Sequence, residues 1–332
     1  MSKSDRQTIL VTGASGQLGR KLVPALLNRG YSIRAHFRSE EKSKRWCPSG
    51  VTPVYGDMRN LNWLDDAIRG CDTVIHCAAK VSLRPGPDKE MEIVNVDGTR
   101  AVIKSCLANN IRRLIYISTI VTVGASPDNN PISEAAPFNL GHINTLYIHT
   151  KKIAENMAME ANGPRLETIT LNPSIMISIP DRELTKGDLK KFPRWVPIYF
   201  DFGLNLVETD DVIDGIIAAV DKGTPGQRYL LTGDNIDTAR AVNLAAKYLN
   251  IGRPFLKIPR WLLFPAAWIV ELRAKIRGKR PSFHRGLAKL AYYRFYYSNE
   301  KAKKDLGYNP KPLEDTIVRI IHALKSRNDF RP

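Results

Sequence analysis

Cysteine is scarce. The 332-residue chain has four, Cys47, Cys71, Cys77 and Cys106, with no C-x-x-C pair and no histidine at metal-ligand spacing. That excludes a zinc ribbon or a disulfide framework and leaves buried free thiols as the expected state. No metal site is expected, and free thiols suit a reducing, cytoplasmic setting. The amino-terminal MSKSDRQ has no apolar stretch of the kind a secretory leader needs, so secretion is not expected. An apolar run at Trp261–Val270 counts ten residues and contains Pro265, well short of the roughly 20 that span a bilayer. Acidic residues are in deficit, 33 against 50 Lys plus Arg, for a net charge of +17. Such a surplus favours an anionic partner, either a phosphorylated cofactor or an acidic membrane surface. Thirteen basic and two acidic residues fall between Lys257 and Lys304, so much of the surplus lies in one segment. No nucleic-acid module is present, and nucleic acid is not an expected partner.

What is present is the composition of a folded globular protein, 43% hydrophobic and 25% charged, without repeats or low-complexity tracts. Short apolar runs alternate with helical patterns through the first half, the signature of βαβ units. Strands are predicted at Thr8–Thr12, Ser32–Phe37, Val51–Tyr55, Asp72–Cys77, Arg113–Thr119 and Leu166–Leu171. Helices are predicted at Gln17–Asn28, with Pro24 kinking it mildly and Gly30 stopping it, at Glu90–Asn109 and at Thr145–Ala161. After Pro173 the alternation stops, with prolines at 180, 193 and 197. The expected fold is α/β, a Rossmann-type doubly wound parallel sheet with a smaller C-terminal substrate-binding lobe. Residues 1–173 form the dinucleotide domain, completed by part of 204–232. Residues 174–203 and 233–332 form the lobe.

The turn after the first strand carries Gly13-Ala14-Ser15-Gly16-Gln17-Leu18-Gly19, a G-x-x-G-x-x-G loop opening a helix. Glycines let backbone approach a pyrophosphate, and free N–H groups at the helix start attract it. The second strand should end on a carboxylate if NAD ribose hydroxyls are to be bound. It ends Phe37-Arg38-Ser39 instead, and a guanidinium can clamp a 2′-phosphate in a fork. NADP(H) is therefore the expected cofactor, although Glu40 and Glu41 follow closely and a merely solvated Arg38 stays open.

Further segments extend the pattern: Gly56-Asp57-Met58-Arg59, His76-Cys77-Ala78-Ala79, Asn95-Val96-Asp97-Gly98-Thr99, Ser118-Thr119 with Gly124, Tyr147-Ile148-His149-Thr150-Lys151 and Asn172-Pro173-Ser174. Together they resemble the extended short-chain dehydrogenase/reductase family over nearly the whole chain. Leu204-Asn205-Leu206-Val207, Gly226-Gln227-Arg228-Tyr229 and Asp305-Leu306-Gly307-Tyr308 resemble its dihydroflavonol-reductase-like and 3β-hydroxysteroid dehydrogenase-like branch. The resemblance implies Tyr147, Lys151 and Thr119 as the catalytic set. It implies cofactor contacts from Gly13, Ser15, Gly16, Gln17, Leu18, Gly19, Arg38, Asp57 and Met58 (the last two at adenine). Cys77, Ala78 and Ala79 would line its ribose, and Pro173 and Ser174 would lie beside the nicotinamide, with Tyr147 and Lys151 also touching the cofactor. Asn95 has a structural role there. Ser118 competes with Thr119, which is preferred because it precedes the glycine by five residues.

The chemistry suits these residue types. Ketone reduction needs a hydride on carbon and a proton on oxygen. A phenol can donate the proton if its pKa, ordinarily near 10, is lowered by a nearby ammonium. Lys151 is one helical turn from Tyr147, so both project from one face. His142 and His149 are expected to be structural, and His76 to touch only the cofactor loop. The function expected is an NADP(H)-dependent oxidoreductase interconverting a ketone and a secondary alcohol on a sterol, isoprenoid or flavonoid-like molecule. The alternatives are a nucleotide-sugar epimerase, which would want tightly held NAD, and a non-catalytic NADP-binding protein, which would normally lose the Tyr or the Lys. A sugar dehydratase fits less well, because Ile120-Val121 follows Thr119 where Asp-Glu would stand. Tryptophan, apolar residues and cations within 257–304 suit peripheral membrane contact. A pocket wall or a homodimer surface is the competing use of the same segment.

Overall fold

In the computed structural model, residues 7–179, 198–249 and 256–326 are described. The chain order is β1 (Thr8–Thr12), α1 (Gln17–Asn28), β2 (Ser32–Phe37), α2 (Glu40–Trp46), β3 (Thr52–Tyr55), α3 (Leu61–Ile68), β4 (Thr73–His76), a short α4 (Lys89–Glu92), α5 (Gly98–Ala108), β5 (Arg113–Ile117), α6 (Leu146–Glu160) and β6 (Glu167–Pro173). There follow β7 (Ile175–Ile177), β8 (Ile198–Phe200), β9 (Gly203–Glu208), α7 (Thr209–Lys222), β10 (Arg228–Leu231), β11 (Asp234–Asp237), α8 (Thr238–Leu249), β12 (Leu256–Ile258), α9 (Leu263–Ile276), α10 (Arg285–Leu290), α11 (Glu300–Leu306) and α12 (Leu313–Ser326). The strands and helices expected in the first half are all present.

Seven parallel strands form the main sheet in the order β10-β6-β5-β4-β1-β2-β3. Successive side chains of β1 go to opposite faces. Ile9 and Val11 join Leu22 and Leu26 of α1 and Val212 and Ile216 of α7 in one core. Leu10 joins Leu64 of α3 and Val102 of α5 in the other. Helices thus cover both faces, which is why these strands read as continuous apolar runs. Cys71 and Cys106 pack in the second core as free thiols, and burial pushes Cys71 up to about 11.

Three features of the chain path have physical reasons. The helix expected over 90–109 is interrupted by a π-helical turn at Ile93–Asp97, which turns Asn95 inward. Its side chain bonds the Lys80 backbone and Thr150, tying the loop after β4 to α6. Only part of 204–232 completes the first domain, in keeping with the expectation. Helix α7 packs on α1 and β10 pairs with β6, but β9 joins β7 and β11 in a separate three-stranded sheet. Finally, α2 and α3 were not expected. They are fixed by local caps, with Ser39 accepting from Lys42 N–H and Asn60 from Trp63 N–H. The prolines at 180, 193 and 197 lie outside the described residues.

The edge strand β10 is held by charge. Arg228 donates to the Glu155 carboxylate at 2.8 Å, and Glu155 is wholly buried in α6. Thr122 and Asn172 each donate to its other oxygen at 2.6 Å. Arg228→Leu leaves a buried carboxylate short of its cation, since only Lys152, 3.6 Å away, remains. It is expected to cost about 3 kcal/mol in urea-denaturation stability, whereas Arg29→Leu, whose partner Asp214 is exposed, costs under about 1 kcal/mol.

Candidate active site

The glycine turn is shaped by close backbone approach. Gly13 has φ of +71°, and a Cβ there would stand 2.8 Å from the Ala78 backbone. A Cβ on Gly19 would collide with the Gly13 carbonyl and stand 2.7 Å from Ala14 Cα. Gly13 therefore brings the β1 turn against the loop after β4, and Gly19 lets α1 start beneath it. Helix α1 follows Gly16 with no side-chain cap and no acidic residue in its first turn. Free N–H groups and the helix dipole are left for an anion.

Two adjoining cavities continue from this turn. The smaller, about 170 Å³, is lined by Gly13, Ser15, Gly16, Cys77, Ala78 and Ala79, among others. The larger, about 440 Å³, includes Gly56, Asp57, Arg59, Glu90 and Gly98. His36, Arg38, Met58 and Val94 line both. A glycine cradle, an uncapped helix start and an elongated cleft fit a dinucleotide. Arg38 sits at the junction, its exposed guanidinium 3.5 Å from Glu90. Lys42 adds a cation to the smaller cavity and Arg59 one to the larger. Asp57 is chelated by Arg59, which holds its carboxyl down to about 2. Burial pushes the Cys77 thiol up to about 12, so it lines the cleft as an inert group.

Some of the expected cofactor residues turn no side chain into these two cavities. Leu18 is buried in the core, and Gly19 is spent on packing, so neither offers a side chain to the cleft. Gln17 is exposed at the helix start. Pro173 is buried in β6 opposite Leu231. Ser174, one residue on, lines a different cavity, discussed below.

Helix α6 presents Tyr147, Lys151 and Glu155 at successive i, i+4 positions, one stripe against β5 and β6. Tyr147 hydrogen-bonds Thr119 just beyond β5. Lys151 is 3% exposed, and a buried ammonium needs acceptors. It donates to Tyr116 Oη and to the Ile117 carbonyl, each at 2.8 Å. Burial brings its pKa down to about 8, with Glu155 and Cys77 opposing the fall. The Tyr147 phenol is displaced upward by burial, partly offset by Thr119. The expected lowering of Tyr147 by Lys151 is therefore not what the arrangement holds: the ammonium lies on Tyr116. Tyr116 itself is pushed well above its ordinary range by burial and then by Glu155. From it a buried chain runs through Thr99 to His76 and Thr12, with His76–Thr99 at 3.1 Å and His76–Thr12 at 2.7 Å. Burial and the nearby Lys151 bring His76 down to about 3, so it is neutral.

Ser118 and Thr119 part company. Ser118 turns inward to Thr122 at 3.2 Å, while Thr119 lines a cavity of about 370 Å³ with Tyr147. This third cavity is walled by apolar residues from the second lobe, including Phe200, Phe202, Phe283, Leu287 and Phe295. Its polar lining among the described residues is Thr119, Tyr147 and Ser174, with no lysine or arginine. Ser174 Oγ is buried without a hydrogen-bond partner. His149 bonds the Ile143 carbonyl at 3.1 Å and His142 lies exposed beside Tyr293, both away from this chemistry.

The sequence reading missed His36, Tyr116, Glu155 and the phenylalanines of the cavity. For Glu155 a signal existed, a third polar residue four positions after Lys151 on the same helix face. For the others none did, because their roles come from strands and loops far apart in the chain. Among the described residues no cluster of His, Cys, Asp or Glu could hold a metal.

The family model for the 3-beta hydroxysteroid dehydrogenase/isomerase family matches residues 10–192. The chain is 30% identical over 331 residues to the sterol demethylase protein B of Methylococcus capsulatus, covering 96% of this chain and 99% of that protein. It is 28% identical to a putative dihydroflavonol 4-reductase of Synechocystis, covering 94% and 93%. The crystal structure of gox2253 superposes with a TM-score of 0.82 at 26% identity, covering 98% of this chain and 100% of that one. The chain belongs to the 3-beta hydroxysteroid dehydrogenase/isomerase family and is an oxidoreductase of the extended short-chain dehydrogenase/reductase type, built around a pyridine-nucleotide site.

Proposed function

We propose that this chain is an NADP(H)-dependent enzyme interconverting a ketone and a secondary alcohol on an apolar, sterol-, isoprenoid- or flavonoid-like molecule. The observation that carries the reading is the third cavity, apolar except for Thr119, Tyr147 and Ser174. An apolar cavity with few converging polar groups orients a greasy molecule by its single oxygen. A nucleotide-sugar substrate would ask this wall for cations to hold its diphosphate, and its described lining has none. The relatives whose names mention a sterol and a dihydroflavonol agree in substrate character.

A bound nicotinamide supplies or takes the hydride. Every other part falls to the chain. Tyr147, held as a phenol by burial, donates its proton to the carbonyl oxygen. Thr119, hydrogen-bonded to Tyr147, orients that oxygen, and Ser174 offers a second donor from the C-terminal end of the neighbouring parallel strand β6. Lys151, anchored on Tyr116 and the Ile117 carbonyl, fixes the rotation of α6 that delivers Tyr147 to Thr119. Apolar walls exclude water from the exchange.

Tyr147→Phe keeps the ring and removes the proton. NADPH affinity is expected to survive while turnover falls about 10²–10⁴-fold in steady-state kinetics with an apolar ketone. Thr119→Ala lowers turnover and Thr119→Ser restores much of it. Turnover of Tyr147→Phe within about twofold of wild type would rule the mechanism out.

For cofactor choice the support is Arg38 at the junction of the two cleft cavities, with Lys42 and Arg59 nearby. A charge-assisted contact to a 2′-phosphate contributes about 1.5–3 kcal/mol, or roughly one to two decades in affinity. Fluorescence titration should show NADPH binding tighter than NADH by that margin, and Arg38→Ala should erase it. Equal wild-type affinities would refute the preference.

Lys151 also leaves a mark on stability. Its folded pKa, about 8, lies below the ordinary 10.5, so between those values the unfolded chain holds the extra proton and wild-type stability rises with pH. Urea denaturation from pH 7.5 to 10.5 should move the difference between wild type and Lys151→Met by about 1–3 kcal/mol in favour of wild type. A pH-independent difference would contradict it.

A further inference from the structure

The first eight residues of helix α9, 263–270, are all apolar, and yet the helix lies at the surface. One face, Leu263 and Ala267, is buried against Ala288 and Phe283. The other carries Trp268 at 54% exposure, Ile269 at 44%, Leu272 at 43% and Ile276 at 77%, and Trp261 just before the helix is 65% exposed. Positions 261, 265, 268, 272 and 276 recur at helical spacing, so these side chains make one continuous ridge. A helical stretch without a polar side normally lies inside a protein or a membrane. At fourteen residues α9 is roughly 21 Å long, and no helix among the described residues can cross a bilayer.

Cations surround the ridge. Arg273, Lys275, Arg277 and Lys279 are exposed and form no ion pair among the described residues. Arg280 donates to the Pro87 carbonyl at 2.7 Å and lies near Asp88. Glu271, the acidic residue of the helix, is taken up by Arg285 at 2.9 Å. A two-fold dimer through this face would set the basic segment against its own copy, and unpaired like charges oppose that. Tryptophan and aliphatic side chains flanked by free cations match the boundary of an anionic leaflet, where rings bury and cations meet lipid phosphates.

We infer that the outer face of α9 docks this protein onto an anionic lipid bilayer, lying in the interface without crossing it. The inner face of the same helix serves the apolar cavity. Leu263 lines that cavity with Phe283 and Ala291, and the exposed Val81, Leu83 and Ile175 line it too. Docking therefore brings the cavity to the lipid phase in which an apolar substrate dissolves. This link to substrate entry rests on the proposed function, whereas the docking itself does not.

The test is co-sedimentation of the full chain with vesicles of equimolar phosphatidylglycerol and phosphatidylcholine, and with pure phosphatidylcholine. Strong binding to the anionic vesicles at low salt is expected, weakening at high salt and on neutral vesicles. Trp268→Ser with Leu272→Ser should lower partitioning by about tenfold or more. Neutralising Arg273, Lys275, Arg277 and Lys279 to Gln should remove the anionic preference, each cation contributing roughly fivefold. These residues lie outside the cavity and the cleft, so NADPH titration certifies that both variants are folded. Absence of wild-type binding to anionic vesicles at low salt would overturn the inference, as would wild-type binding by both variants. A dimer dissolved by the Trp268→Ser, Leu272→Ser pair, without vesicle binding, would assign the ridge to a second copy instead. NADPH oxidation with apolar ketones is scored separately, so a chain that docks but turns nothing over would count against the proposed function alone.

Discussion

The site depends on two charges buried on one face of α6. Lys151 and Glu155 sit a turn apart beneath the cavity floor, where an unpaired ion would be prohibitively costly. Each is held by a different part of the sheet. The ammonium bonds β5 through Tyr116 and Ile117, and the carboxylate bonds β6 through Asn172 and β10 through Arg228. These contacts fix the rotation and depth of the helix. Tyr147, one turn above Lys151, is thereby delivered to Thr119 at the end of β5. Thr150, on the same helix, bonds Asn95 and fixes the loop after β4 that borders the cofactor cleft.

Around that stripe the molecule separates two solvents. The cleft over β1, β2 and β4 is a place for anions, with the uncapped N-terminus of α1 and cations at Arg38, Lys42 and Arg59. The cavity beyond Thr119 is nearly free of polar groups. Tyr147 lines this apolar cavity beside Thr119, and in the proposed reaction the proton is delivered there. The second lobe supplies the apolar side, and α9, apolar on both faces, connects that side to the surface.

Much of the first domain was legible because its determinants are local. The run TILVT, the glycines at 13, 16 and 19 and the stop at Gly30 each impose backbone geometry within a few residues, and β1, α1 and β2 fall on the expected bounds. The i, i+4 spacing placed Tyr147 and Lys151 on one helix face, and the missing carboxylate after Phe37 drew attention to Arg38. The π turn at Asn95 was not legible, since its inward side chain is rewarded by partners at Lys80 and Thr150. Nor was the division of β9 and β10 between two sheets, because both runs are apolar and only packing chooses their neighbours.

By itself the sequence determined the alternation of strands and helices, the phosphate-binding turn, the Tyr–Lys helix face and the concentration of charge after residue 257. Those properties follow from spacing, sterics and composition, which act along the chain. Tertiary structure alone decided that Ser118 turns inward and Thr119 outward, that Lys151 rests on Tyr116 and not on Tyr147, and that Ser174 borders the apolar cavity. It also decided that one face of α9 is left uncovered. These outcomes turn on burial and on partners that other elements bring into place, and a buried polar group takes its state from the neighbours that satisfy it.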